Sequence, residues 1–280
     1  MRRLLAVAVL GAVAIGCGAE RGPVTHHSPG PAGPSFAGPA PGKPHALAPV
    51  VNRAAAGPEA AAKTVALTFD ADMTADQGPR AHSGERFDNP GLIASLRRLK
   101  VPSTIFMTGR WAEEYPDQAK AIGNDPLFEI ANHSYSHYAF TSPCYGLPVV
   151  APNAMRADVE RAFAAFRTAG VRRVVPYFRF PGGCYDTAAL RAIAPTGVTA
   201  IQWDVVSGDA FATDAEAVAE QVLAGVRPGS LVVLHCTTSA APVTERAIQR
   251  IVPELRRRGY RMVTVSELMT RAPSARSPRG

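Results

Sequence analysis

Leu231-Val232-Val233-Leu234-His235 is an unbroken β-prone apolar run that ends on an imidazole. A strand covered on both faces, as in a parallel sheet, reads this way; a half-exposed strand alternates. Six more short β-prone runs lie at residues 64–70, 103–108, 128–132, 174–179, 198–204 and 261–265. Apolar stripes at helical spacing separate most of them. These are Leu92, Ile93, Leu96 and Leu99; Val159, Phe163 and Phe166 ahead of Gly170; Val218, Val222 and Val226 before Pro228-Gly229; and Ile248, Ile251, Val252 and Leu255, closed by Gly259. Strands alternating with helices predict an α/β fold on a parallel sheet. No internal repeat is visible.

The polar residues gather at one edge of this pattern. Asp70, His133, Arg179, Asp204 and His235 all fall at C-terminal ends of predicted strands. Parallel α/β folds build their active sites there. In Glu129-Ile130-Ala131-Asn132-His133-Ser134-Tyr135-Ser136-His137, two histidines stand four residues apart. On a helical turn that spacing would put both imidazoles on one side, where they can share a metal ion. The spacing alone is common among surface and core histidines. It gains force from Thr68-Phe69-Asp70-Ala71-Asp72, Arg179-Phe180-Pro181-Gly182-Gly183, the stretch 203–209 and Leu234-His235. Together these supply the carboxylates, imidazoles, guanidinium and glycine turn of a metal-assisted hydrolase. Taken singly, each has a plainer reading. His235 alone would be a satisfied core histidine. Asp204 reads as a cap or turn residue, and His82 and Asp76 as solvent-facing loop residues. An arginine between Phe178 and Phe180 at a strand end is expected to be tied to a partner.

The front of the chain is a different material. Met1-Arg2-Arg3 followed by an apolar run to Ile15 reads as an export signal, too short to span a bilayer. Ala14-Ile15-Gly16-Cys17 resembles a bacterial lipobox, with Ala14 where leucine is usual, and makes Cys17 the expected lipidation site. Residues 1–17 are therefore expected to be a lipoprotein-type signal and 18–62, rich in Pro, Ala and Gly, a disordered tether. A single catalytic domain is expected over 63–270, and a flexible tail over 271–280. The net charge of +7 includes Arg2 and Arg3. No basic run is interleaved with aromatics, which argues against nucleic acid as a partner. Arg256-Arg257-Arg258 reads as a solvated helix face. A lipidated Cys17 leaves Cys144, Cys184 and Cys236, hence one disulfide and one buried thiol. Cys144–Cys184 is the preferred pair because both lie in predicted loops after motif residues; Cys184–Cys236 is its rival.

These motifs, in order, resemble the polysaccharide deacetylase family, the NodB-homology domain of carbohydrate esterase family four. Val65-Ala66-Leu67-Thr68-Phe69-Asp70, His133-Ser134-Tyr135-Ser136-His137, Arg179-Phe180-Pro181-Gly182-Gly183, Ser207-Gly208-Asp209 and Val233-Leu234-His235 carry the resemblance. It implies a distorted (β/α) barrel of about seven parallel strands. It also implies metal-dependent N-deacetylation of N-acetylglucosamine units in an envelope polysaccharide, peptidoglycan or chitin-like. By the same resemblance Asp70 is the catalytic base, Arg179 holds it, and His235 is the general acid tuned by Asp209. His133 and His137 ligate one divalent metal, zinc first, with cobalt, nickel or manganese as alternatives. Gly182 supplies an oxyanion N–H.

Two departures stand out. The family has adjacent aspartates where this chain has Asp70-Ala71-Asp72, so Asp72 is expected as the third ligand, with Asp70 the alternative. The aromatic after the fourth-motif aspartate is Ala210, so Tyr185 or Trp203 is a candidate sugar wall, with core packing the plainer role for Trp203. A monomer anchored to the membrane through Cys17 is expected. Two rivals stay open. One is hydrolysis of a small amide or O-acetyl ester, which Ala210 favours. The other is a non-catalytic glycan-binding domain, which the complete acid–base set disfavours.

Overall fold

The protein is seen in a computed structural model that describes residues 46–54 and 63–270. The expected signal segment, Cys17, most of the tether and the tail lie outside the described residues. Among the described residues nine strands form one sheet: β1 Val50–Val51, β2 Thr64–Ala71, β3 Ser103–Met107, β4 Phe128–Asn132, β5 Val174–Phe178, β6 Thr199–Ile201, β7 Val205–Val206, β8 Ser230–His235 and β9 Arg261–Met262. The order is β1-β6-β5-β4-β3-β2-β8-β7, with β9 paired to β2, and every strand pair is parallel. The helices are α1 Gly78–His82, α2 Pro90–Arg98, α3 Gly109–Glu114, α4 Pro116–Gly123, α5 Met155–Thr168, α6 Thr187–Ile193, α7 Ala215–Gly225, α8 Thr244–Arg257 and α9 Val265–Thr270. The α/β parallel-sheet fold expected from the strand–helix alternation is observed, in the barrel-like form that the family resemblance implies, with nine strands among the described residues in place of about seven.

All eight residues of β2 are buried, as a central parallel strand requires. Val65, Leu67 and Phe69 are fully buried, each contributing roughly 1.5–3 kcal/mol of apolar transfer. The four apolar stripes supply the inward faces of α2, α5, α7 and α8. Val226 is excluded from α7, which ends at Gly225 as the chain turns extended toward Pro228.

Three expectations are corrected. The stretch 18–62 is not all tether. Val50–Val51 pairs with β6, Arg53 bridges Ser230, and the Ala54 N–H donates to the Gly229 carbonyl at 3.0 Å. Residues 50–54 therefore run from the β6 end of the sheet to the foot of β8 and curl its two ends together. Gly229 has φ +84°, and a Cβ there would lie 2.9 Å from the Ala54 carbonyl oxygen. Two β-branched residues in Pro/Ala-rich surroundings are too short a run to show periodicity. The expected strand over 198–204 stops at Ile201, and a separate strand, β7, begins at Val205. The expected strand over 261–265 stops at Met262, and Val265 begins α9 instead. Among the described residues no helix is long and apolar enough to cross a membrane.

Candidate metal centre

Sheet register brings the motif residues together. Asp70 is level with His235 on β8 and Phe106 on β3, while Met107 is level with Asn132 and Asn132 with Phe178. Asp72, His133 and Arg179 are the residues just beyond these strand ends, so they emerge into one space.

Asp72, His133 and His137 offer three ligand atoms that lie within 4.8 Å of one another. Asp72 Oδ1 is 3.3 Å from His133 Nε2 and 3.5 Å from His137 Nε2. It is buried and has no hydrogen-bond donor. A buried carboxylate oxygen without a donor is costly, and a divalent cation among these atoms would satisfy it. His133 Nδ1 faces the Arg179 carbonyl at 2.9 Å. That contact places the proton on Nδ1 and leaves the Nε2 lone pair toward Asp72, the orientation a ligand needs. Burial above all pushes the His137 imidazole down to about 4 against the pull of Asp72, so it is held neutral. Burial works to raise the Asp72 carboxyl, but the facing imidazoles of His137, His133 and His235 outweigh it and hold it well below the usual range. The donor set thus fits a cation such as zinc.

The histidine pair is not on a helix. Residues 134–137 form an irregular turn in which Ser134 (φ +67°) and His137 (φ +55°) take the left-handed conformation. Asn132 Oδ1 accepts the Ser134 N–H at 2.8 Å, and Ser134 Oγ accepts the His137 N–H at 2.9 Å. From α5, Asp158 Oδ2 accepts the N–H groups of Tyr135 and Ser136 at 2.8 and 3.4 Å. The rings end 5.0 Å apart between centroids. Sequence reasoning passed over Asn132, Ser134 and Asp158. Asn132 and Ser134 were visible inside the motif, whereas nothing in the chain links Asp158 to it.

Asp70 sits beside this trio. Its Oδ1 accepts from the Arg179 guanidinium at 2.6 Å, and its Oδ2 is 3.7 Å from His133 Nε2. Arg179 is fully buried and stacked over Phe106, 3.9 Å from the ring centroid. It also donates to the carbonyls of Ile201 and Gln202, so each of the three guanidinium nitrogens makes a hydrogen bond. His235 Nε2 is 3.9 Å from Asp72 Oδ2. Its Nδ1 meets Asp209 Oδ1 at 2.7 Å, and its N–H donates to Asp209 Oδ2. Burial acts to lower the His235 imidazole, but the Asp209 hydrogen bond and charge, with Asp72 and Asp70, push it up to about 10. Asp209 is buried and also accepts from Ser207 and Thr244, two partners not foreseen from the sequence.

Gly182 and Gly183 both have positive φ, 64° and 72°. Added Cβ atoms would lie 2.7 Å from Cys144 Sγ and 2.4 Å from the Trp203 ring. The bond Cys144–Cys184 ties the preceding loop to this turn, and Cys236 is the free buried thiol. Tyr185 stacks on Phe180 with ring centroids 5.1 Å apart, and Trp203 packs on Gly183; both rings are committed to protein. Asp204 leaves the cluster. Its carboxylate accepts from Ser230 and the Leu231 N–H, at the foot of β8, because β7 begins at the next residue, with Val205 level with Val232. It is a turn residue. His82 contacts the Gly78 carbonyl of its own helix, and Asp76 accepts from Thr74.

Residues 57–201 match the family profile described as polysaccharide deacetylase. A chitooligosaccharide deacetylase of Sinorhizobium fredii is 30% identical over 67% of this chain and 86% of that protein. A peptidoglycan-N-acetylglucosamine deacetylase of Bacillus cereus is 27% identical over 74% and 88%. A solved peptidoglycan N-acetylglucosamine deacetylase shares the fold with a TM-score of 0.65 at 22% identity, over 80% of this chain and 94% of that one.

Proposed function

The chain belongs to the polysaccharide deacetylase family, and from that premise we propose that it is an exported hydrolase that removes acetyl groups from N-acetylglucosamine units of an envelope polysaccharide. The products are acetate and a free amine. The observation that carries this reading is the buried, donorless Asp72 oxygen facing two imidazoles, with Asp70 and His235 flanking it. Asp72, His133 and His137 hold one divalent metal, zinc in first place. When bound, that ion supplies Lewis-acid polarisation of the acetyl carbonyl and acidifies water.

The remaining chemistry belongs to the side chains. Asp70 takes the proton of the attacking water. Its Oδ1 is occupied by Arg179, which leaves Oδ2 as the accepting atom. Arg179 fixes that carboxylate in place from a buried position in which each guanidinium nitrogen donates a hydrogen bond. The backbone N–H near Gly182 donates to the oxygen that gains charge. His235 carries the proton that the departing amine nitrogen takes as the C–N bond breaks, and Asp209 keeps that imidazole charged and oriented. Tyr185 contributes by backing Phe180.

Peptidoglycan is the polymer that an anchored envelope enzyme meets first. Arg2-Arg3, the apolar run and Cys17 support export and a lipid anchor. Acetate release from purified peptidoglycan and chitin oligomers, with and without chelator, tests the reading. Metal-loaded protein that frees no acetate from either would sink it. Cys17→Ser is expected to release the protein from membranes; membrane association that survives the change refutes lipidation there.

A further inference from the structure

Tyr145 and Phe211 are the only exposed aromatic rings among the described residues, 88% and 81% exposed. Both are held in the left-handed backbone region, φ +45° and +59°. That conformation is an outlier for bulky residues and persists where surrounding structure enforces it, most often at functional sites. The enforcement is visible at each ring. Tyr145 follows Cys144, whose disulfide to Cys184 pins the loop, and its ring lies 3.2 Å from where a Gly182 Cβ would be. Phe211 donates its N–H to the Ala240 carbonyl, and the Ala212 N–H closes onto the Asp209 carbonyl. Tyr145 thus stands beside the turn three residues past Arg179. Phe211 stands two residues past Asp209, the partner of His235. The rings occupy separate loops, one on the Arg179 flank and one on the His235 flank.

We propose that Tyr145 and Phe211 are the two walls of a glycan cleft across the metal centre, each stacking on a pyranose ring that neighbours the reacting sugar. This rests on the deacetylase reading. An aromatic face presents an apolar plane with a negative quadrupole, which matches the C–H face of a pyranose. One ring in the loop beside Gly182 and one in the loop after Asp209 fit a chain-like ligand that extends to both sides of the reacting sugar. Half-buried Tyr185 and Trp203 have their faces on Phe180 and Gly183 and are less available. The cleft makes the protein selective for oligomers over short sugars.

The test is direct binding. Zinc-loaded full-length protein in an Asp70→Asn background, so that no sugar is consumed, is titrated with chitobiose and chitopentaose by calorimetry. Tyr145→Ala and Phe211→Ala are each expected to weaken chitopentaose about five- to tenfold and to narrow the gap between pentamer and dimer. Circular dichroism checks the fold of each variant, and Tyr145→Phe and Phe211→Tyr, which keep the ring, are expected to retain the parent affinity. Folded alanine variants that bind the pentamer as the parent does, or a parent that prefers no length, overturn the cleft. Ring-dependent pentamer binding by a chain whose wild type releases no acetate would refute the deacetylase reading and leave the cleft standing.

Discussion

Asp158→Ala is expected to weaken metal binding although Asp158 belongs to none of the motifs. Its Oδ2 is the acceptor for two consecutive N–H groups of the histidine turn, one short at 2.8 Å and one long at 3.4 Å. A charged acceptor for a part-buried N–H is worth about 1.5–3 kcal/mol, and the longer bond adds less. The turn it holds contains two non-glycine residues in the left-handed region, each costing roughly 1–2 kcal/mol. Removing the carboxylate lets the turn relax toward ordinary backbone and carries His137 away from His133. The metal must then reimpose the geometry, at a cost of about 2–3 kcal/mol, or roughly 30- to 160-fold in affinity. Competition titration against a chromophoric chelator, with zinc or cobalt, measures this directly. Asp158→Asn keeps one acceptor oxygen and should fall between the two. Saturating metal should restore most of the rate to Asp158→Ala, because the reacting groups are intact. A metal Kd unchanged in a folded Asp158→Ala protein would refute the reasoning.

Three further outcomes are expected. Asp70→Asn should retain metal but lose the rate by roughly a hundredfold or more, since an amide cannot accept the water's proton, whereas Asp72→Asn should lose metal; chelator competition and acetate release on both variants read this, and the reverse pattern exchanges their roles. In Asp209→Asn the His235 imidazole should titrate nearer its ordinary value instead of near 10, so the alkaline limb of the pH–rate profile moves to lower pH, and an unmoved limb refutes the assigned tuning. The sign for stability follows: with a raised folded value, the charged His235–Asp209 pair contributes fully below about pH 6.5 and fades as pH rises through about 10. Gly182→Ala should lower the melting temperature by several degrees, because it adds a left-handed cost of about 1–2 kcal/mol to a Cβ placed 2.7 Å from Cys144 Sγ; a melting temperature equal to the parent's would mean the turn can move.

Local physics made the outline of this protein legible in its sequence. The run 231–234 had to be a doubly covered strand because nothing polar interrupts it, and β8 is buried from Ser230 to Leu234. Polar residues that end such runs must emerge at the strand tips, so the sequence alone places Asp70, His133, Arg179 and His235 at one sheet edge. Tertiary structure alone decided what depends on contacts between distant segments. Asp204 ends a β-prone run as the others do, yet it bonds to the foot of β8, because β7 begins at the next residue and Asp204 therefore precedes a strand instead of ending one. His133 and His137 meet through a left-handed turn bonded to α5, not through a helix, since the N–H groups of that turn find their acceptor 22–23 residues away. Val50–Val51 joins the sheet through pairing with β6 and the Arg53–Ser230 bridge, both to partners about 150 residues or more along the chain. Spacing along a chain reports which side chains are available; the register of strands and the acceptors that distant helices provide determine where those side chains meet.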